Sequence, residues 1–316
     1  MEHKIAQTTP SPSSYPKDIT HNIRIDLLEK KRVVVGTMFR EVELLDEIES
    51  NPNQSHPLLV AWQAGFRIVV IDCERKACNL ERLATYCKIA HKLGVSLWLR
   101  PAQLEEEAIS RFADIGFSGF MIPNAIELPR IRKVVDQAYY LPIARKQASI
   151  KRGYSITSTL LDGQSPGALP VENQMNYVNN NMIVALQTEH PKGIENLAEL
   201  LSISEKGIIG TIIGPNDLAI NLSQLEGVRD LLALDKDKMF EHEAMLRAYA
   251  SVGRIASDNK KAAGVHFTEK NQVKLIKRLI AEDRFHNYRL ILFGTERNLV
   301  PKEFEETKDI VKTLSS

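Results

Sequence analysis

No run of apolar residues in this chain approaches the ~18 needed to cross a bilayer, so a membrane-spanning helix is not expected. Charge of one sign is missing too. The 41 Lys and Arg residues are matched by 40 Asp and Glu, a net of +1. No strong field draws the chain to nucleic acid or to an anionic membrane. Cysteine is scarce and odd in number: Cys73, Cys78 and Cys87, without the paired C-x-x-C spacing of a structural zinc site. Residues 1–16 are polar and rich in Ser, Thr and Pro, and lack the apolar centre of a secretory signal. A reducing cytoplasm is the expected compartment. No G-x-G-x-x-G follows the first strand-like run, and no Walker A motif occurs. These absences weigh against the common open-sheet nucleotide folds. A short-period internal repeat is absent as well.

What is present is alternation. The 316 residues, 43% hydrophobic and 26% charged, suit one large soluble α/β domain. Short apolar runs at 33–35, 68–71, 96–99, 119–122, 182–186, 208–213, 263–265 and 290–293 read as strands covered on both faces. Between them, stripes such as Leu80, Leu83, Ala84 and Cys87, or Val273, Ile276 and Ile280, recur at helical spacing. Cys87 on such a stripe reads as core. Eight such units predict a TIM (β/α)8 barrel. The barrel domain is expected over 32–316. Residues 1–31 form a partly disordered arm, with a helical pattern in 17–31 that lets part of it dock. Two connections are long for a barrel. One is the acidic, polar 38–57 and the other is 138–181, the length of a functional loop or lid.

In such barrels chemistry sits at the C-terminal ends of the strands. There the sequence places Asp72, Cys73, Glu74 and Arg75; Arg100; Asn124; Gln187, Glu189 and His190; Gly214, Pro215, Asn216 and Asp217; and His266. Neighbouring strands lie about 4.8 Å apart, so Glu189 and Asp217 can share one cation. Two carboxylates completed by water and substrate oxygens suit Mg²⁺ or Mn²⁺. The plainer alternative has Asp217 capping a helix and Glu189 paired with a cation. Arg100 can grip a carboxylate in a two-bond fork, or pair structurally with Asp72 or Glu74.

Several segments together resemble the HpcH/HpaI aldolase family, metal-dependent class II pyruvate aldolases related to the citrate lyase β-subunit. They are Ala64-Gly65-Phe66, Ile71-Asp72-Cys73-Glu74, Leu99-Arg100-Pro101, Met121-Ile122-Pro123, Arg152-Gly153, Leu186-Gln187-Thr188-Glu189 and Ile213-Gly214-Pro215-Asn216-Asp217-Leu218. The resemblance runs from about Val33 to Val300. It implies a barrel of the phosphoenolpyruvate/pyruvate type. It also implies a divalent metal held by Glu189 and Asp217, and a 2-oxo acid gripped by Arg100. Gln187 would line the pocket, with Gly214, Pro215 and Asn216 around the substrate carboxylate. The reaction implied is carbon–carbon cleavage or formation through a pyruvate-type enolate, carried out by a homo-oligomer. A small-molecule partner is expected, not nucleic acid or membrane.

One position departs from the family pattern. The second-strand motif ends in Glu-His in the family, and its histidine, oriented by the aspartate matching Asp72, is the acid/base. Here Arg75 stands in its place, and arginine stays protonated. Three readings follow. Arg75 binds an extra carboxylate or phosphate, and the enolate arises by decarboxylation or from an enol donor. Alternatively the base has moved, His266 being the best candidate. In the third reading the barrel binds ligand with little catalysis.

Overall fold

The eight runs become strands because each is apolar on both faces and is followed by a helix that covers its outer side. In the computed structural model the strands are parallel and join in sequence order, with β8 returning to β1 to close the barrel. They are β1 (Val34–Phe39), β2 (Ile68–Asp72), β3 (Ser96–Arg100), β4 (Gly119–Ile122), β5 (Ile183–Thr188), β6 (Ile208–Ile213), β7 (Ala262–Phe267) and β8 (Tyr288–Thr295). The structure describes residues 19–40, 56–74, 79–102, 108–140 and 170–316. Arg75, Cys78, Arg152 and Gly153 lie outside the described residues, as do residues 1–18, most of 38–57 and the larger part of 138–181.

Side chains alternate between two cores, as a closed sheet requires. Met38, Val70, Trp98, Met121, Ile212 and Leu292 fill the barrel interior. Their neighbours Phe39, Ile71, Leu99, Ile122, Ile213 and Phe293 face outward into the helix layer. Trp98 is the largest interior side chain and leaves no room beside it. A Cβ at Gly119, its partner in the β3–β4 register, would lie 2.5 Å from the indole.

Helix α1 (Ile19–Leu28) seals the N-terminal end of the barrel. Ile23 and Leu27 are fully buried in the interior cluster. Thr20 shares a 2.9 Å hydrogen bond with Ser96, and Arg24 donates to the Met182 and Lys206 carbonyls. The part of the expected arm that is described is therefore a docked helix. Within the long connection expected at 138–181, residues Val171–Asn180 form a helix. Asn179 ties it down by bonding both the N–H and the carbonyl of Tyr140.

The remaining helices carry the sequence signals that start and stop them. The helix Leu80–Leu93 begins at Asn79, whose side chain accepts from the N–H groups of Glu81 and Arg82. It ends at Gly94 with φ 70°, a left-handed cap that glycine adopts without strain. Cys87 on its buried face is a free thiol whose pKa burial pushes up. Cys73, directly after β2, is disulfide-bonded. Among the described residues no helix is long and apolar enough to cross a membrane.

Candidate active site

The strand alternation that builds the core also builds the site. Two residues beyond the last interior side chain, several strands present a polar group at the C-terminal mouth. Val70 is followed by Asp72, Trp98 by Arg100 and Ala185 by Gln187. The register sets Asp72 directly beside Arg100. One further pleat up, Glu74 and Glu189 stand above Asp72 and Gln187.

These groups form one hydrogen-bonded row. Arg100 donates through Nε to Asp72 Oδ1 at 2.8 Å and through Nη2 to Asp72 Oδ2 at 2.5 Å, a two-bond fork. Its Nη1 reaches Gln187 Oε1 at 3.2 Å and Glu74 Oε2 at 3.0 Å. Gln187 passes the row on, donating from Nε2 to Glu189 Oε2 at 2.6 Å. The other oxygen, Glu189 Oε1, accepts from the Asn124 N–H at 2.9 Å. Asn124 is held for this task at φ 46°, a left-handed conformation that asparagine tolerates better than most residues. Arg130 fixes that turn by donating to the Asn124 and Pro123 carbonyls at 2.7 and 2.9 Å. The main chain of Glu189 is fixed too, because Asn221 donates to its carbonyl at 2.7 Å.

Asp72, Arg100, Gln187 and Glu189 are all buried. Burial works to raise the Asp72 carboxyl, but the Arg100 guanidinium and the Glu74 N–H hold it below the ordinary carboxylate value. Glu189 goes the other way. Burial, then Asp217 and Glu74, push its carboxyl up to about 7, against the pull of Arg100 and the Asn124 N–H. The mouth thus gathers acidic groups with one buried guanidinium among them.

Asp217 sits in the first turn of the helix Pro215–Leu225, which begins directly after β6. Gly214 is its N-cap, and Pro215, without an N–H, takes the first helical position. Asn216 is exposed at this helix start. Gly214 allows close approach: a Cβ there would meet Gln187 Nε2 and Glu189 Oε2, both at 2.8 Å.

His266 occupies the corresponding position on β7. Its ring donates to the Gly294 carbonyl, and its Nε2 is buried without a partner among the described residues. Burial, then Arg100 and Arg40, push its pKa down to about 3. It is therefore a neutral imidazole at ordinary pH. His190 is used locally, its Nδ1 accepting from the Lys192 N–H to cap the next helix.

The structure thus brings together Asp72, Arg100, Gln187, Glu189, Gly214 and Asp217, and sets His266 within electrostatic reach of Asp72 and Arg100. Arg75 lies outside the described residues. The sequence reading missed two contributors, the main-chain donor at Asn124 and the guanidinium of Arg40 next to the end of β1. Arg40 was missed because Gly36-Thr37 interrupts the apolar run, which made β1 appear to stop at Val35.

The HpcH/HpaI aldolase/citrate lyase family matches this chain over residues 58–271, more than half its length. The chain belongs to that family. A 5-keto-4-deoxy-D-glucarate aldolase of Klebsiella pneumoniae is 25% identical over 162 residues, 51% of this chain and 58% of the relative. A hydroxypyruvate/pyruvate aldolase of Deinococcus radiodurans is 24% identical over 162 residues, again 51% of this chain and 54% of the relative. The match therefore spans little more than half of these relatives. Among solved structures, an HpcH/HpaI aldolase from Desulfitobacterium hafniense superposes with a TM-score of 0.66 at 23% identity, covering 91% of this chain and 95% of that one. Macrophomate synthase superposes with a TM-score of 0.63 at 19% identity, covering 96% and 93%. At these identities the solved structures speak for the fold of this family member.

Proposed function

We propose that this family member is a carbon–carbon lyase or synthase that works through the enolate of a 2-oxo acid, with a divalent cation held between Glu189 and Asp217. The observation that carries the reading is the unbroken row Asp72–Arg100–Gln187–Glu189 at the barrel mouth, with Asp217 electrostatically coupled to its last member.

The donor set fits a hard cation. Glu189 and Asp217 rise from neighbouring strand ends, offer only oxygen, and repel each other. Among the described residues no group of three or more His, Cys, Asp or Glu side chains is arranged to hold a metal. Mg²⁺ or Mn²⁺ would suit two carboxylates, since both ions keep positions for water and substrate. When bound, such an ion supplies Lewis-acid stabilisation of the charge that develops on the keto oxygen of a 2-oxo acid.

The chain's own groups do the rest. Asp72 grips one edge of Arg100 and fixes its plane, so the guanidinium needs no reorganisation as negative charge appears. Gln187 holds Glu189 and Arg100 at a set separation. Asn216 and Asp217 lie in the first turn of their helix, where the helix dipole favours a substrate carboxylate.

His266 favours a second reading of the first step. A neutral imidazole with a pKa near 3 is a weak proton acceptor. Enolate formation by loss of CO₂ from a 2-oxo acid with a second carboxylate needs no base at that point. One experiment separates the two. Deuterium entry at C3 of pyruvate in D₂O is followed by NMR with Mg²⁺, Mn²⁺ or EDTA, beside CO₂ release from oxaloacetate. Metal-dependent exchange that disappears in Asp217→Ala supports the enolate reading with a working base. Metal-dependent CO₂ release without exchange supports the decarboxylating one. Neither activity, with no metal-dependent binding of pyruvate, would sink both. The same reading expects a homo-oligomer, measurable by light scattering.

A further inference from the structure

Arg40 is a cation at the mouth, among the described residues, that the enolate chemistry leaves unused. It follows Phe39, the last residue of β1. The interior side chain before it is Met38 and the outward one is Phe39, so alternation turns Arg40 to the inside of the mouth. The β1–β2 register pairs Phe39 with Ile71, and β2–β3 pairs Asp72 with Arg100. Continued by one residue, the register sets Arg40, Asp72 and Arg100 side by side on three adjacent strands. At about 4.8 Å per strand, the two arginine backbones stand roughly 10 Å apart.

The backbone of Arg40 is fixed while its side chain is not. Glu296, 1% exposed at the end of β8, accepts from the Arg40 N–H at 2.7 Å. Arg40 itself is exposed, and among the described residues its guanidinium enters no ion pair. Arg100 contrasts with it at every point, being buried and committed to Asp72, Glu74 and Gln187. The field of Arg40 reaches Asp72 and His266, two groups lining the mouth from opposite sides.

We propose that Arg40 is a specificity-determining residue that binds a second carboxylate of the substrate, at the end remote from the 2-oxo acid group. An exposed guanidinium at the mouth, without an ion-pair partner among the described residues, is suited to two-bond recognition of a carboxylate. The separation of the arginines selects a short chain between the two anionic ends. Asp72, already spoken for by Arg100, keeps the two guanidinium groups apart and stops Arg40 from competing for the 2-oxo acid end.

This inference rests on the 2-oxo acid reading, and the test keeps the two apart. Calorimetric titration with Mg²⁺ present compares ligands matched in length. 2-Oxoglutarate is set against 2-oxopentanoate, and 2-oxoadipate against 2-oxohexanoate, with pyruvate as reference. In the unaltered protein, at one chain length, the dicarboxylate is expected to bind about ten-fold tighter than its partner, and less so as salt rises. Arg40→Gln should reduce that ratio to about two or less while pyruvate binds as before, and Arg40→Lys should keep part of it. A merely structural arginine would shift all ligands together. The proposal is overturned if neither dicarboxylate has an advantage in the unaltered protein, or if the advantage survives in Arg40→Gln. Pyruvate binding retained in those cases leaves the 2-oxo acid reading standing. Loss of pyruvate binding in the unaltered protein removes both.

Discussion

At the scale of single residues, the site depends on what is missing at Gly214. Its φ of −91° is open to any residue, so substitution carries no backbone strain. Only the space is specific: the Cβ would sit 2.8 Å from both Gln187 Nε2 and Glu189 Oε2. Gly214→Ala should therefore push Glu189 out of line while leaving the barrel folded. A displacement of about 1 Å at a reacting centre can cost on the order of 10²-fold in rate. The expected outcome is a loss of that size in metal-dependent turnover with an almost unchanged melting temperature. Normal turnover in the alanine variant would mean that Glu189 does not need its present position. Asp217→Ala makes the complementary case: with one of the two carboxylates proposed to hold the cation removed, metal-dependent turnover should be abolished. Most of this was legible in the sequence, because Asp72, Arg100, Gln187, Glu189 and Asp217 are polar types that interrupt or end apolar runs. Asn124 was not legible as a donor, since its contribution is a main-chain N–H aimed by a left-handed turn, and side-chain type says nothing about that.

At the scale of elements, α1 shows how a short helix can matter to a barrel that is otherwise closed by its own strands. Its sequence pattern is weak, with Ile23 and Leu27 spaced one turn apart among polar residues. A helix of this length would not hold its shape alone in water. Packing supplies what propensity does not, because Ile23 and Leu27 enter the same cluster as the interior side chains of β1 to β8. Leu27→Ala should lower unfolding free energy by about 2–5 kcal/mol, the usual range for a fully buried leucine. Urea titration followed by circular dichroism measures it. An effect below about 0.5 kcal/mol would mean that the helix leaves the barrel end freely. The Ile23 and Leu27 spacing let docking be expected from the sequence, but not its partners, because those contacts join residues far apart along the chain. The strands could, because their signal is local. The helix at Val171–Asn180 lay hidden for another reason: its polar sequence, VENQMNYVNN, buries mainly through Gln174, Val178 and Asn179, so no apolar stripe announces it.

At the scale of the whole molecule, acid stability reports on the electrostatics of the mouth. His266 is neutral in the fold with a pKa of about 3, against about 6.5 in an unfolded chain. Between those values the unfolded chain binds a proton that the folded one does not, so stability falls as pH drops through this window. Glu189 acts with the opposite sign. Its folded value of about 7 exceeds the ordinary carboxylate value, so the folded chain binds the extra proton between about 4.5 and 7. The pH profile of the unaltered protein is thus a sum of opposed contributions and by itself says little. The difference between the unaltered protein and His266→Gln removes the shared Glu189 contribution. Each pH unit is worth about 1.4 kcal/mol per proton. Between pH 7.5 and pH 5 the unaltered protein should therefore lose up to about 2 kcal/mol more than the variant, measured by urea unfolding without added metal. Parallel profiles would mean that His266 takes up its proton in the fold as easily as in the unfolded chain. The mouth would then be wetter than its burial indicates, and His266 would regain standing as the base that Arg75 cannot be. A divergent profile instead leaves the imidazole as a neutral hydrogen-bonding group on the β7 side of the mouth, and turns the search for a proton acceptor toward the substrate itself.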